Sequence, residues 1–172
     1  MVSMKGMKYL IALLAVAGIV VSSLALRIHY MDPSQAPPCA VSANWDCGYV
    51  NHSKFSEFPP YPMESDYDAD GHLRPATEIH IPVATIGIIG YALILIAALA
   101  GRLRIVLELS RIGFFCAAFL SYIEAYIITK WCIYCVWSLG IITTILALSI
   151  VVALLRRRRR AESMIAVLAA ED

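Results

Sequence analysis

WCIYCVWSLGIITTILALSIVVALLRRRRR, residues 131–160, is the stretch whose reading decides the fold. Residues 131–155 carry no charge, and five consecutive arginines follow. A helix needs about 20 apolar residues to cross a bilayer core. The stretch therefore reads as a transmembrane helix closed by a stop-transfer signal. An arginine run also suits nucleic-acid binding. Directly after a hydrophobic span, anchoring to lipid headgroups is the stronger reading, and no nucleic-acid partner is expected. Two cysteines, Cys132 and Cys135, stand at the start of the same helix.

Three other runs share this character. Residues 9–26 and 82–101 are uncharged, and 112–129 carry only Glu124. Of the 172 residues, 60% are hydrophobic and 16% charged, and mean hydropathy is +0.71. Soluble domains carry about 25% charged residues, so an ordinary soluble domain is excluded. The expected spans are 9–27, 82–101, 111–129 and 131–155, with a large outer loop at 28–81. The fold class is an all-α membrane protein, a four-transmembrane-helix bundle over residues 1–160. Residues 161–172 form a tail, either a short surface helix or disordered. A cleaved signal peptide is the alternative for the first run, since Lys5 and Lys8 precede it and Ser22, Ser23 and Ala25 close it. Its apolar length exceeds the usual h-region of about 7–15 residues, which favours an uncleaved anchor.

The net charge of +1 hides an asymmetry. Residues 28–82 hold eight acids and two bases. Lys5 and Lys8, then Arg102, Arg104 and Arg111, then the arginines at 156–160 fall in the other connections. With four spans these basic segments share one side, which the positive-inside rule makes cytoplasmic. Both termini are then cytoplasmic, and the acidic loop and Lys130 face outward. All eight prolines lie in the loop or at its end. No regular period is visible there, so irregular structure with short helical pieces is expected. Gly87 and Gly90 allow another helix to come close, and a connection of about ten residues makes the second and third spans an antiparallel hairpin.

Cys132 and Cys135 are three residues apart and project from one helix face. The helix N-terminus offers free N–H groups and a positive dipole end to a thiolate at Cys132, and Lys130 is near. The plainer reading is a structural disulfide or two inert core thiols. Cys39 and Cys47 form a C-x7-C pair in the loop, either a staple or a mobile shuttle. As a shuttle it carries electrons from a soluble dithiol to Cys132. The terminal acceptor must then take two electrons and live in the bilayer, and a quinone meets both requirements. The rival is a zinc or copper site on the four cysteines, aided by His52 and His72. A C-x-x-C that begins a membrane helix argues against it, and no metal is expected.

Cys39-x7-Cys47, Ser53 six residues on, IPVATIGIIGY and EAYIITKWCIYC together resemble the vitamin K epoxide reductase family. The likeness runs over about residues 9–155. It implies a four-helix bundle around a quinone pocket on the outer side, closed over by the loop. By resemblance Cys132 and Cys135 are the active-site pair, with Cys135 nearest the quinone. Cys47 exchanges with Cys132, Cys39 meets a thioredoxin-fold partner, and Ser53 is the serine near the quinone. The tyrosine that vertebrate members carry shortly after C-x-x-C is absent, since Trp137, Ser138 and Leu139 stand there. The sequence is therefore similar to the bacterial branch, which sits in the inner membrane, oxidises a periplasmic partner and reduces ubiquinone or menaquinone (vitamin K). No fused thioredoxin-like domain is seen, so a separate partner is expected. The acidic stretch 63–78 has no assigned role.

Three further residues enter as quinone-site candidates. Glu124 is an acid within a span, and such acids usually mark function. It relays protons, or it is a structural acid bonded to Tyr122 or Tyr126. Trp131 is a quinone contact or an interfacial-belt residue. Asn51 stands beside Ser53 in an Asn-His-Ser sequon. Cys116 reads as a small apolar filler. The expected function is a membrane thiol–quinone oxidoreductase supporting disulfide formation. The alternatives are an epoxide reductase of vertebrate type and a non-enzymatic metal-binding membrane protein.

Overall fold

The computed structural model describes residues 4–32, 34, 39, 42–59 and 80–168. The acidic stretch 63–78, with His72, lies outside the described residues. Four long helices dominate: α1 (Met4–His29), α3 (Val83–Leu99), α4 (Leu103–Ile123) and α5 (Ile133–Leu168). A one-turn helix, α2 (Cys47–Asn51), sits between α1 and α3 in the chain. Two short strands, β1 (Glu57–Phe58) and β2 (Ile81–Pro82), pair antiparallel just before α3. Glu57 faces Pro82 and Phe58 faces Ile81, so the chain leaves and returns side by side at the head of α3.

α1 packs on α3 and α5, and α4 packs on α5 and α3, closing a four-helix ring. Its centre is aliphatic, with Ile11, Ile94, Val106, Ile145 and Val152 fully buried. Large apolar side chains also point outward on every long helix, among them Leu13, Ile89, Phe115, Phe119 and Leu154. Two helical segments are long and apolar enough to cross a membrane, Gly6–His29 and Ile133–Ile165. Val83–Leu99 is a shorter apolar helix.

Small residues at a helix–helix contact allow the close approach that dispersion requires. At Gly18 of α1, a Cβ would lie 2.4 Å from Cε1 of Tyr91 on α3. The Tyr91 hydroxyl in turn donates to the Ser138 carbonyl of α5 at 2.9 Å. One tyrosine thus ties three helices, and only glycine leaves room for its ring. Gly18→Val is expected to destabilise the bundle by about 1–3 kcal/mol through overpacking. An unchanged unfolding temperature in detergent would contradict this contact. Of the two glycines expected to bring helices together, Gly87 does so, with a Cβ placed 3.0 Å from Ser22 Oγ of α1. Gly90 does not, because a Cβ there meets nothing within 4 Å.

Two boundaries differ from those read in the sequence. The α3–α4 connection is residues 100–102 rather than about ten, since α4 starts at Leu103. Arg104, Glu108 and Arg111 end the apolar run but not the helix. They lie exposed on it, and Glu108 pairs with Arg111 at 3.2 Å one turn on. Gly101 supplies the turn at φ 69°, the left-handed position at which glycine ends helices. At the other terminus α5 runs unbroken through the arginines to Leu168. Arg, Ala and Glu are good helix formers, so residues 161–168 continue the helix instead of forming a separate piece.

Candidate active site

The functional residues gather at one end of the ring, where α1 finishes and α3 and α5 begin. The loop is fixed there by its backbone. Trp131 N–H donates to the Asn44 carbonyl at 2.9 Å, and Asp46 N–H donates to the Trp131 carbonyl at 3.1 Å. The Lys130 ammonium donates to the Ala43 carbonyl. The Trp45 and Trp131 rings lie 6.4 Å apart. Asp46 caps α2 by accepting from Tyr49 N–H at 3.0 Å, which sets Cys47 at the first helical position. The loop cysteines are thereby strapped to the residue preceding Cys132.

Cys39 and Cys47 are joined by a disulfide. Cys132 and Cys135 are unbridged. Cys39, Cys47 and Cys132 share one buried cluster with Ile28 and Val50, and Cys135 packs against it. Cys47 and Cys132 are both 0% exposed, so thiol exchange between them would be shielded from water. The Asn51 side-chain amide spans the two, donating to the Cys47 carbonyl at 2.8 Å and to Cys132 Sγ at 3.5 Å. Cys132 immediately precedes α5, so its side chain stands at the first backbone N–H groups of that helix. These are the unpaired donors that every helix N-terminus presents.

Glu124 is reached by a local distortion. α4 ends at Ile123, and the chain widens into a π-helical turn, Glu124–Ile128. Single π-turns recur at functional sites because they re-aim side chains. The turn stops at Thr129, in the left-handed region at φ 58°. Glu124 is 2% exposed, and its Oε2 accepts from Cys132 N–H at 3.2 Å. It lines the same cavity wall as Cys135. The tyrosines considered as its partners are exposed and lie against each other, with centroids 4.8 Å apart and ring planes tilted by 33°.

Behind the cysteines lies a cavity of about 270 Å³. Its wall is mostly aliphatic, from Val21, Ile86, Ile94, Leu109, Leu120 and Ile142 on the four long helices. Polar groups collect toward the cysteine end: His29, Asn51, Ser53, Glu124, Cys135 and Ser138. An apolar chamber with a few convergent polar groups is the usual form of a small-molecule site. Ser53 reaches the wall, though its hydroxyl donates to the Val50 carbonyl at 2.8 Å. Cys132 is one layer back from the chamber, and Cys135 is on its wall. A quinone ring fits this volume and donor set.

The model of the "Vitamin K epoxide reductase family" matches residues 9–150. The chain belongs to the vitamin K epoxide reductase family. Membership makes it an oxidoreductase of redox thiols, and with its two long apolar helices it fits a membrane protein. No curated protein matches the chain significantly. In this family member Trp131 is not on the cavity wall, contrary to its reading as a quinone contact. Its main chain is held by the cysteine loop on both sides, which turns the residue toward Trp45. Cys116, read as a filler, is exposed and lines the cavity. Among the described residues no group of three or more His, Cys, Asp or Glu could hold a metal ion. Sequence reasoning missed His29 and Tyr91, whose roles arise from partners distant in the chain.

Proposed function

We propose that the chain is a quinone-dependent thiol oxidase of the membrane, drawing electrons from a thioredoxin-fold partner. The observation that carries this reading is the single buried cluster of Cys39, Cys47 and Cys132, with Cys135 at the wall of an apolar chamber. A partner dithiol reduces the Cys39–Cys47 disulfide. The Cys47 thiolate attacks Cys132 of a Cys132–Cys135 disulfide, and Cys135 leaves. Cys39 then attacks Cys47 and releases Cys132, so both electrons now reside on the helix pair. A quinone bound in the chamber accepts those two electrons with two protons. Cys135 faces the chamber, Asn51 and Ser53 orient polar groups at its mouth, and Glu124 holds and passes a proton released by the thiols.

Four spans are proposed, with both termini cytoplasmic and the cysteines on the outer face, the periplasm of a bacterial inner membrane. Outward apolar side chains on all four long helices support the span number. The placement of Arg102, Arg104 and the arginines at 156–160 at the end opposite the cysteines supports the orientation. The test is anaerobic reduction of a soluble quinone by the purified protein with a reduced dithiol donor. Turnover is expected with quinone and not with quinone epoxide as sole acceptor. Turnover with epoxide alone would instead favour the vertebrate-type activity.

A further inference from the structure

A line of polar side chains runs from the strand pair to the active sulfur. His29, in the last turn of α1, lines the chamber. Its Nδ1 donates to the Asn51 backbone carbonyl at 2.7 Å. Its Nε2 lies 3.3 Å from Glu57 Oε1 on β1. Only a ring protonated at both nitrogens donates to both oxygens. Glu57 Oε2 is 3.9 Å from His80 Nδ1, and His80 also donates to the Pro59 carbonyl at 3.0 Å. The His29 and Glu57 side chains are only 12% and 20% exposed, so the pair is screened little by water. Asn51, at the far end, places its amide between the Cys47 carbonyl and Cys132 Sγ.

We propose that His29 is a positioning residue for the thiol relay: braced by Glu57, it fixes the end of α2 and so holds the Asn51 amide on the Cys132 sulfur. The proposal rests on the thiol–quinone reading above. It serves both exchanges, because the amide bonded to the Cys47 carbonyl and to Cys132 Sγ keeps the two residues in register as their disulfide forms and as it breaks; the charge question arises in the second. The Cys39 thiolate attacks Cys47 in the Cys47–Cys132 disulfide, the Cys39–Cys47 bond forms, and Cys132 departs as a thiolate. The electron pair and negative charge arrive on a sulfur buried at 0% exposure, where a stray thiolate is costly. The Asn51 N–H receives that charge. Neither ring nitrogen of His29 is left to face the chamber, so the residue acts through Asn51 and not on the occupant.

Two readouts test this. In a full-length Cys39→Ala/Cys135→Ala protein, Cys47 and Cys132 are left to pair. The yield of that bond at a fixed oxidant dose, read by mass spectrometry of linked peptides, needs no quinone. His29→Ala in this background is expected to lower the yield about tenfold, the worth of one charge-assisted hydrogen bond. Asn51→Ala is expected to match it, and the two together to be no worse than either. His29→Gln keeps an N–H for the Asn51 carbonyl and is expected to restore most of the yield. In the otherwise native chain, His29→Ala lowers kcat for quinone reduction and leaves the quinone KM unchanged. An unchanged yield, a loss that glutamine does not rescue, or an effect confined to KM would overturn the proposal. If the native chain reduces no quinone, the thiol–quinone reading fails, and the trapping yields still decide the role of His29.

Discussion

Cys135→Ala abolishes quinone reduction, with a fall of at least about a thousandfold, the scale seen when a covalent nucleophile is removed. Of the cysteines in the proposed relay, Cys135 lines the chamber wall, and Cys132 is buried behind it at 0% exposure. With Cys135 gone, electrons reach Cys132 but no disulfide closes to release them. Cys132→Ala gives the same loss for the opposite reason, since the loop pair then lacks a sulfur to exchange with. Cys116 also lines the chamber but pairs with neither set, so Cys116→Ser is expected to retain turnover. The check is initial rate with a soluble quinone and excess dithiol. Substantial activity in either Cys132→Ala or Cys135→Ala would end the proposed route.

Glu124 carries the second large effect. Its carboxylate does two things: it satisfies the Cys132 N–H at 3.2 Å, and it stands with Cys135 on the wall of the chamber. Glu124→Leu removes both. It leaves a buried donor unpaired, which costs about 1–3 kcal/mol of stability. Glu124→Gln keeps an acceptor for the N–H but cannot take up a proton. Glutamine is therefore expected to preserve the unfolding temperature while lowering kcat by about a hundredfold or more, the range of lost acid–base catalysis. A glutamine variant with native kcat would make Glu124 a structural acid only.

Much of the bundle was legible in composition. The charge-free runs at 9–26 and 131–155 correspond to the two helices long and apolar enough to span a membrane. The same signal misled at α4, because exposed charges break an apolar run without breaking a helix. The C-x-x-C at a helix start was readable because helix termini expose N–H groups whatever the tertiary context. The pairing of Cys39 with Cys47 was open between staple and shuttle, since spacing does not say what a loop packs against. Docking of that loop depends on main-chain bonds between Asn44, Asp46 and Trp131, and main-chain bonds leave no mark on side-chain pattern. The π-turn was equally silent: one extra residue in a turn does not disturb a run of apolar letters. That turn brings Glu124 to the backbone N–H of Cys132, eight residues on, a partner that side-chain spacing does not indicate as it does Tyr122 and Tyr126. His29 was passed over because its partners, Asn51 and Glu57, come from later in the chain.

Direct contact between the loop pair and the helix pair is what both thiol exchanges of the proposed relay require. Oxidise the full-length Cys39→Ala/Cys135→Ala protein in its membrane, block remaining thiols, digest, and search for the peptide pair joined through Cys47 and Cys132. That linkage is expected as the major product. Recovery of both cysteines as blocked monomers, or joined only between chains, would contradict the relay.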